Sequence, residues 1–313
     1  MDDGLRTERP FGTSTVAGLA YSLRPWQWYK QLIVFVPVAF SFQYFDVFDL
    51  SVWLRVLAGA VVFSLTAGCV YIVNDIADVE EDRNHPRKKH RPIASGQVSV
   101  PVAAGVALPG LVAGPLAGWW ITPAFGAVLG FYVVQNLLYS AGLKDLVFVD
   151  LLLIGVGFVL RAIAGVVLVG APISPWLILC TFLTALLLGM GKRQAELAAV
   201  GPDNGTRGSL TDYSAELLQV MFVSVSSVLL VSYSLYTFFV RSDAMMLTIP
   251  FALYAVFRYG YLTIEQGMNR PERMFLDKPM LVNLVVWALV ALFILYLFPT
   301  VTFEQFLTTT PVQ

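Results

Sequence analysis

The chain has 313 residues, 57% hydrophobic and only 13% charged, with a formal net charge of −1. A mean hydropathy of +0.71 with so little charge excludes a water-soluble globular domain and identifies an integral membrane protein. The near-zero balance says nothing about partners, and no nucleic acid is expected among them; the distribution of charge is the informative part.

Residues 1–15 are polar and read as a disordered arm, without the short apolar core and small-residue cleavage site of a removable signal peptide. Nine apolar segments follow, at about 28–45, 52–73, 98–119, 122–141, 146–169, 174–190, 216–240, 244–263 and 279–298. Most have the ~17–25 residues that a spanning helix needs. Trp26, Trp28, Tyr29, Trp119 and Trp120 suit the aromatic belt at the interfaces. Of the 20 lysines and arginines, all but Arg55, Arg161 and Arg241 lie in or beside the N-terminal arm and the loops after segments two, four, six and eight. The positive-inside rule then puts the N-terminus and those loops in the cytosol and the C-terminus outside. The expected architecture is all-α, with nine transmembrane helices in one domain (16–300), a short extracytoplasmic tail (301–313) and the chemistry opening to the cytosol. Cys69 and Cys180 lie within apolar stretches without metal-ligand spacing and read as packing residues.

Where the second segment ends, Asn74-Asp75-Ile76-Ala77-Asp78-Val79-Glu80-Glu81-Asp82 emerges at the membrane surface. At about 100° per residue, Asp75, Asp78 and Asp82 fall within a ~60° arc of one helical face. Three carboxylates so placed repel one another unless a cation lies between them. Hard oxygen ligands beside a phosphorylated partner suit Mg²⁺. The basic run Arg83 to Arg91 follows directly. It reads either as an anchor to lipid headgroups or as the partner of the carboxylates in holding a diphosphate and stabilising its departure. Lys88 and Arg91 are the candidates for that second role.

Further along, Tyr139-Ser140-Ala141-Gly142-Leu143-Lys144 closes the fourth segment, and Asp150 and Arg161 share a face of the fifth, about 16 Å apart along its axis. An arginine that deep must face a polar cavity or a partner, or belong to a structural polar network. The third basic loop carries Gly191-Lys192-Arg193-Gln194-Ala195-Glu196 and then Arg207, Asp212 and Tyr213.

Asn-Asp-x-x-Asp-x-x-x-Asp at the end of a membrane helix resembles the first signature of the UbiA superfamily of membrane prenyltransferases, where it holds Mg²⁺-diphosphate. The Tyr139–Lys144 element resembles one found after that superfamily's fourth helix. Aromatic-substrate members carry a second acidic motif in the third loop. Here Lys192 and Arg193 stand instead, which exchanges metal-mediated anion binding for direct anion binding. With Arg-Pro-x-Gln-Trp-x-Lys at Arg24 to Lys30, His85-Pro86, Arg91 to Gly96, Arg258-Tyr259-Gly260, Pro271-Glu272 and Asp277, the chain is most similar to the branch of decaprenyl-phosphate phosphoribosyltransferases. Gln194 and Asp145 depart from it, standing where an aromatic residue and a histidine are common.

The resemblance implies transfer of 5-phosphoribose from phosphoribosyl diphosphate (PRPP) to a polyprenyl phosphate at the plasma membrane, toward arabinan cell-wall precursors, by an enzyme that leaves room for a homo-oligomer. Asp75, Asp78 and Asp82 would be the Mg²⁺ ligands, and with Lys144 and Asp150 the catalytic set. Lys30, Asn74, Lys88, Arg91, Tyr139, Arg161, Lys192, Arg193 and Arg258 would bind the substrates. No strong general base is required, because a phosphate monoester with a second pKa of ~6 is largely ionised at neutral pH, which leaves His85 and His90 to loop structure or anion contact. Two alternatives stay open: prenyl transfer from a prenyl diphosphate to an aromatic acceptor, and lipid transport. Transport would call for polar residues on both membrane faces and helices broken at mid-membrane.

Overall fold

The computed structural model describes residues 14–41, 44–46, 48–86, 88–200, 213–240, 243–268 and 271–297. Most of the N-terminal arm, the C-terminal tail, and Arg207 and Asp212 of the third loop lie outside the described residues. The described residues are helical, with no strand among them. They pack as two compact units, one drawn from 1–143 and 160–173, the other from 144–159 and 174–313.

In the first unit, helix α1 (Thr15–Ser22) leads into a 3₁₀ helix, Pro25–Phe35, and the short α2, Val36–Phe40. The long α3 (Leu50–Ala77), α4 (Val79–Asn84), α5 (Val100–Ile121) and α6 (Pro123–Ser140) follow. The unit also holds α7 (Val149–Val169) from Leu160 onward. Helix α3 is its centre, packing on α5, on α6 and on the 3₁₀ helix. Small residues make the α3–α5 approach possible: a β-carbon at Gly110 or Gly114 would overlap Cys69 or Thr66. Gly165 of α7 meets the backbone carbonyl of Val34 in the same way. The apolar residues left outward, among them Val102, Val112, Leu116 and Trp120 on α5, are what a lipid-facing surface requires.

The second unit holds the start of α7 together with α8 (Pro175–Val200), α9 (Ala215–Val240), α10 (Ile249–Ile264) and α11 (Lys278–Leu297). Leu183 and Leu187 of α8, Phe222 and Leu229 of α9, Val256 and Tyr259 of α10 and Met280 of α11 form its core. Tyr259 stacks on Phe222 with ring centroids 6.2 Å apart and donates its hydroxyl to the Leu188 carbonyl at 3.0 Å. A β-carbon at position 191 would lie 2.5 Å from that hydroxyl oxygen, so the glycine opening Gly191-Lys192-Arg193 is a packing requirement.

Seven of the described helices are long and apolar enough to cross a membrane, against the nine segments expected. The fourth segment is present as α6, but its 18 residues include Gln135 and Asn136, which lower its apolarity. The first segment differs more. Its first part is the 3₁₀ helix, entered through Arg24 in the left-handed region (φ 51°, ψ 58°). Pro25 fixes its start, and the polar Gln27, Lys30 and Gln31 break the apolar run.

Candidate active site

Helix α3 ends at Ala77, and Asp78 (φ −93°, ψ 9°) joins it to α4. The joint keeps helical spacing: the Asp78 amide donates to the Asn74 carbonyl at 3.0 Å and the Asp82 amide to the Asp78 carbonyl at 2.8 Å. Residues 75, 78 and 82 therefore stay in register across it. All three aspartates are buried, with exposures of 4, 8 and 1%, whereas Glu80 and Glu81 between them are exposed.

Buried carboxylates need partners, and three cations supply them to Asp75 and Asp82. Arg91 Nη1 lies 2.9 Å from Asp75 Oδ1 and 2.6 Å from Asp82 Oδ2, so one guanidinium nitrogen bridges the two aspartates. Arg24 Nη2 reaches Asp75 Oδ1 at 2.5 Å, its guanidinium 5.0 Å from the centre of the Tyr71 ring. Lys88 Nζ stands 3.6 Å from Asp82 Oδ1, a buried oxygen with no hydrogen-bond partner among the described residues. Arg91 is brought there by a folded-back loop. The Ser95 amide donates to the Arg91 carbonyl at 2.8 Å and the Val98 amide to the Pro92 carbonyl at 2.9 Å, and Gly96 takes the positive φ (78°) that the turn requires. Pro92, Ile93, Ala94 and Val98 are buried beneath it. The Asn74 side chain is held by the Ser140 hydroxyl, which ties the Tyr139-Ser140 element of α6 to the end of α3. Tyr139 itself is half-buried.

Beside these groups lies a cavity of about 160 Å³ lined by Tyr21, Ser22, Arg24, Trp26, Gln27, Asp75, Arg91 and Pro92. Deeper in the same unit, Arg161 is 4% exposed and donates to Gln31 Oε1 at 3.2 Å and to the Tyr132 hydroxyl at 3.0 Å. Its guanidinium also lies 5.2 Å from the Phe63 ring centre and 5.0 Å from that of Tyr132. These contacts stabilise a charge that apolar surroundings alone would expel. Lys30, on the 3₁₀ helix, donates to Gln27 Oε1 at 3.0 Å.

The second unit has its own ionic groups. Asp150 is fully buried; Arg193 Nη2 lies 2.9 Å from its Oδ2 and the Tyr213 hydroxyl donates to its Oδ1 at 2.9 Å. The same Tyr213 oxygen accepts the amide of Phe148, a residue at φ 68°, at 2.7 Å. Burial, reinforced by the adjoining carboxylate, pushes the Tyr213 hydroxyl up to about 12. Asp150 and Arg193, expected among the catalytic and substrate-binding groups, are thus each other's partners here. Lys192, next along α8, is exposed, and Lys144 lies half-buried in the 3₁₀ turn Leu143–Asp145. Arg258 forks onto Asp277, Nε to Oδ1 at 3.0 Å and Nη2 to Oδ2 at 2.8 Å, and these bonds hold the Asp277 carboxyl below its usual value. Arg24, Gln31, Tyr132 and Tyr213 are among the groups of these networks that lie outside the expected site set. Arg24 and Tyr213 carried a signal, since each stands in a stretch singled out for its motif. Gln31 and Tyr132 carried none.

Among the described residues no three His, Cys, Asp or Glu side chains converge as a ready metal site. Arg91 lies between two of the candidate carboxylates. The donor set nevertheless fits a hard divalent cation: buried carboxylate oxygens, one of them on Asp82 without a hydrogen bond.

Residues 15–195 match the family model of the UbiA prenyltransferase family. A decaprenyl-phosphate phosphoribosyltransferase of Mycolicibacterium smegmatis is 33% identical over 294 residues, covering 87% of this chain and 90% of the relative. One from Mycobacterium tuberculosis is 33% identical over 284 residues, covering 87% and 91%. Among solved structures, a UbiA homologue from Archaeoglobus fulgidus bound to DMAPP and Mg²⁺ superposes with a TM-score of 0.69 at 16% identity, over 88% of this chain and 98% of that one. At that identity the likeness is one of fold. The model match over more than half of the chain and the relatives along most of it have one consequence: this integral membrane protein belongs to the UbiA prenyltransferase family.

Proposed function

We propose that the chain transfers 5-phosphoribose from PRPP to a long polyprenyl phosphate such as decaprenyl phosphate, with release of diphosphate, in the formation of arabinan precursors. The observation that carries this reading is the identity of 33% along 87% of the chain to relatives named for that reaction. Lys192 and Arg193, where aromatic-substrate members have acids, add to it.

A lipid phosphate oxygen forms the new bond to C1 of the ribose as the bond from C1 to the diphosphate oxygen breaks, and the electron pair leaves with the diphosphate. No proton has to move. Asp75, Asp78 and Asp82 would hold Mg²⁺, with Asn74 assisting. When bound, the ion supplies positive charge beside the leaving diphosphate. Lys88 and Arg91, at the same carboxylates, stabilise charge on that group as C1 becomes cationic. Tyr139, Lys144 and Lys192 are candidates for the 5-phosphate or the lipid phosphate, with Lys30 and Arg161 as a polar lining of the first unit. Asp150, Arg193 and Arg258, each in an ion pair, act by positioning the segments that carry those groups.

The same reading takes the chain across the plasma membrane nine times, N-terminus and active site on the cytosolic side, as a single domain with room for a homo-oligomer. The count rests on the nine apolar segments and the orientation on the asymmetry of Lys and Arg. At ~2 Å per residue a 3₁₀ helix of this length extends about 22 Å, and α2 lengthens it toward a full crossing.

The test is direct. Purified protein is supplied with Mg²⁺, PRPP and decaprenyl phosphate, and diphosphate and phosphoribosylated lipid are measured. Turnover of a prenyl diphosphate with an aromatic acid, and none of PRPP, would replace this reading with aromatic prenyl transfer.

A further inference from the structure

The donors around the α3–α4 carboxylates are unevenly distributed. Asp75 Oδ1 takes two guanidinium groups, Arg24 at 2.5 Å and Arg91 at 2.9 Å, while Asp82 Oδ1 is buried without a hydrogen bond. Two cations on one oxygen is more than its neutralisation requires. Arg24 also lines the cavity beside Asp75, its side chain 18% exposed, and stands at the start of the 3₁₀ helix, 51 residues away in sequence.

We propose that Arg24 is a placeholder cation: it occupies Asp75 while the carboxylates lack a divalent metal ion, and turns to the phosphate oxygens of a diphosphate in the adjoining cavity when the metal ion takes the carboxylate. The proposal rests on the reading of Asp75, Asp78 and Asp82 as metal ligands. Its physical basis is competition for one oxygen. A divalent ion brings twice the charge of a guanidinium and displaces it. Asp75 and Asp82 are set against Arg24, Lys88 and Arg91, so an added dication leaves the cluster with a surplus of positive charge that an anion must offset. Metal ion alone then binds poorly, diphosphate alone meets guanidinium groups already engaged, and the two together bind well. That is a coupling free energy between two ligands, and it is reciprocal. The planar fork of an arginine suits both of its partners in turn, a carboxylate and a phosphate.

The experiment titrates the full chain in detergent with Mn²⁺, reading free Mn²⁺ by electron paramagnetic resonance, with and without inorganic diphosphate. In the wild type, diphosphate should tighten Mn²⁺ binding about tenfold. Arg24→Gln should bind Mn²⁺ alone about three- to tenfold more tightly than the wild type, because its competitor is gone, and should lose most of the tightening by diphosphate. Arg24→Lys, which keeps the charge but not the fork, should shift both quantities in the same directions by less. Equal or weaker Mn²⁺ binding by Arg24→Gln, at an unchanged unfolding temperature, overturns the proposal. Failure of both variants to fold overturns it as well, by making the Arg24–Asp75 pair a structural bond. Diphosphate is common to PRPP and prenyl diphosphates, so the result stands apart from the identity of the donor. Absence of PRPP turnover beside the expected Mn²⁺ behaviour removes the proposed reaction alone, and a wild type that binds no Mn²⁺ overturns the placeholder with the metal reading.

Discussion

The acidic cluster at the end of α3 and the one at the start of α7 both set aspartates against arginines, yet their cations stand in different surroundings. Around Asp75 and Asp82, Arg24, Arg91 and Lys88 keep 18, 27 and 30% of their side-chain surface, and a cavity adjoins them. Around Asp150, Arg193 keeps 6%, and Tyr213 occupies the second carboxylate oxygen. A cation with exposed surface can exchange one anion for another at modest cost. One sealed against a buried carboxylate cannot leave without stranding a charge. The same residue types therefore suit ligand binding in one place and architecture in the other.

Substitutions at the two clusters should part company in what they damage. The largest effect is expected at Asp78 or Asp82. Replacement by Asn should lower turnover by roughly 10²–10³-fold, the scale on which losing one group that stabilises developing charge is felt, while thermal unfolding stays near that of the wild type. Full activity in either variant would remove the metal assignment. Arg193→Gln should do the reverse. It strands the Asp150 carboxylate and should destabilise the protein by about 3–5 kcal/mol, with activity per folded molecule lowered far less than at Asp78 or Asp82. A double variant, Asp150→Leu with Arg193→Leu, should recover much of that loss in the same unfolding assay. A smaller effect of the same kind is expected from Tyr213→Phe, about 1–3 kcal/mol for the buried groups left unpaired. Because the hydroxyl is pushed up to about 12 from an ordinary value near 10, its contribution should persist at neutral pH and fade as pH rises from about 10 through 12.

Much of this organisation was legible in the sequence, for physical reasons. Hydropathy located α3, α5, α9 and α11 to within a few residues, because a membrane core selects continuous apolar helices. It did not show that Pro25–Phe35 is a 3₁₀ helix, since an average over side chains does not distinguish a 3₁₀ helix from an α-helix. That Asp75, Asp78 and Asp82 share one face followed from spacing alone, a local property of one helical register; their burial is set by what packs over that face. Their partners did not follow. Arg24 reaches Asp75 across 51 residues and Tyr213 reaches Asp150 across 63, contacts that only tertiary packing creates. Charge was readable at Arg193 and Arg258; whether each faced a ligand or a carboxylate of its own chain was not.

Arg258 and Asp277 give the mildest form of the contrast, a fork with both side chains partly exposed, at 24 and 15%. The bonds from Arg258 depress the Asp277 carboxyl, so the folded state binds its proton less readily than the unfolded chain does. The linked stability is then complete above the ordinary carboxylate value of about 4 and is lost as pH falls through the lower folded value. Wild type and Asp277→Asn should therefore differ slightly in unfolding temperature at pH 7 and converge as the pH is taken below about 4, because acid then neutralises the wild-type carboxylate as the substitution already has. Since the pair is partly open to solvent, the difference at pH 7 should also shrink in high salt. A gap that stays constant down to pH 3 would show that Asp277 acts through the hydrogen bond it accepts from the Met280 amide, at 3.0 Å, rather than through its charge on Arg258.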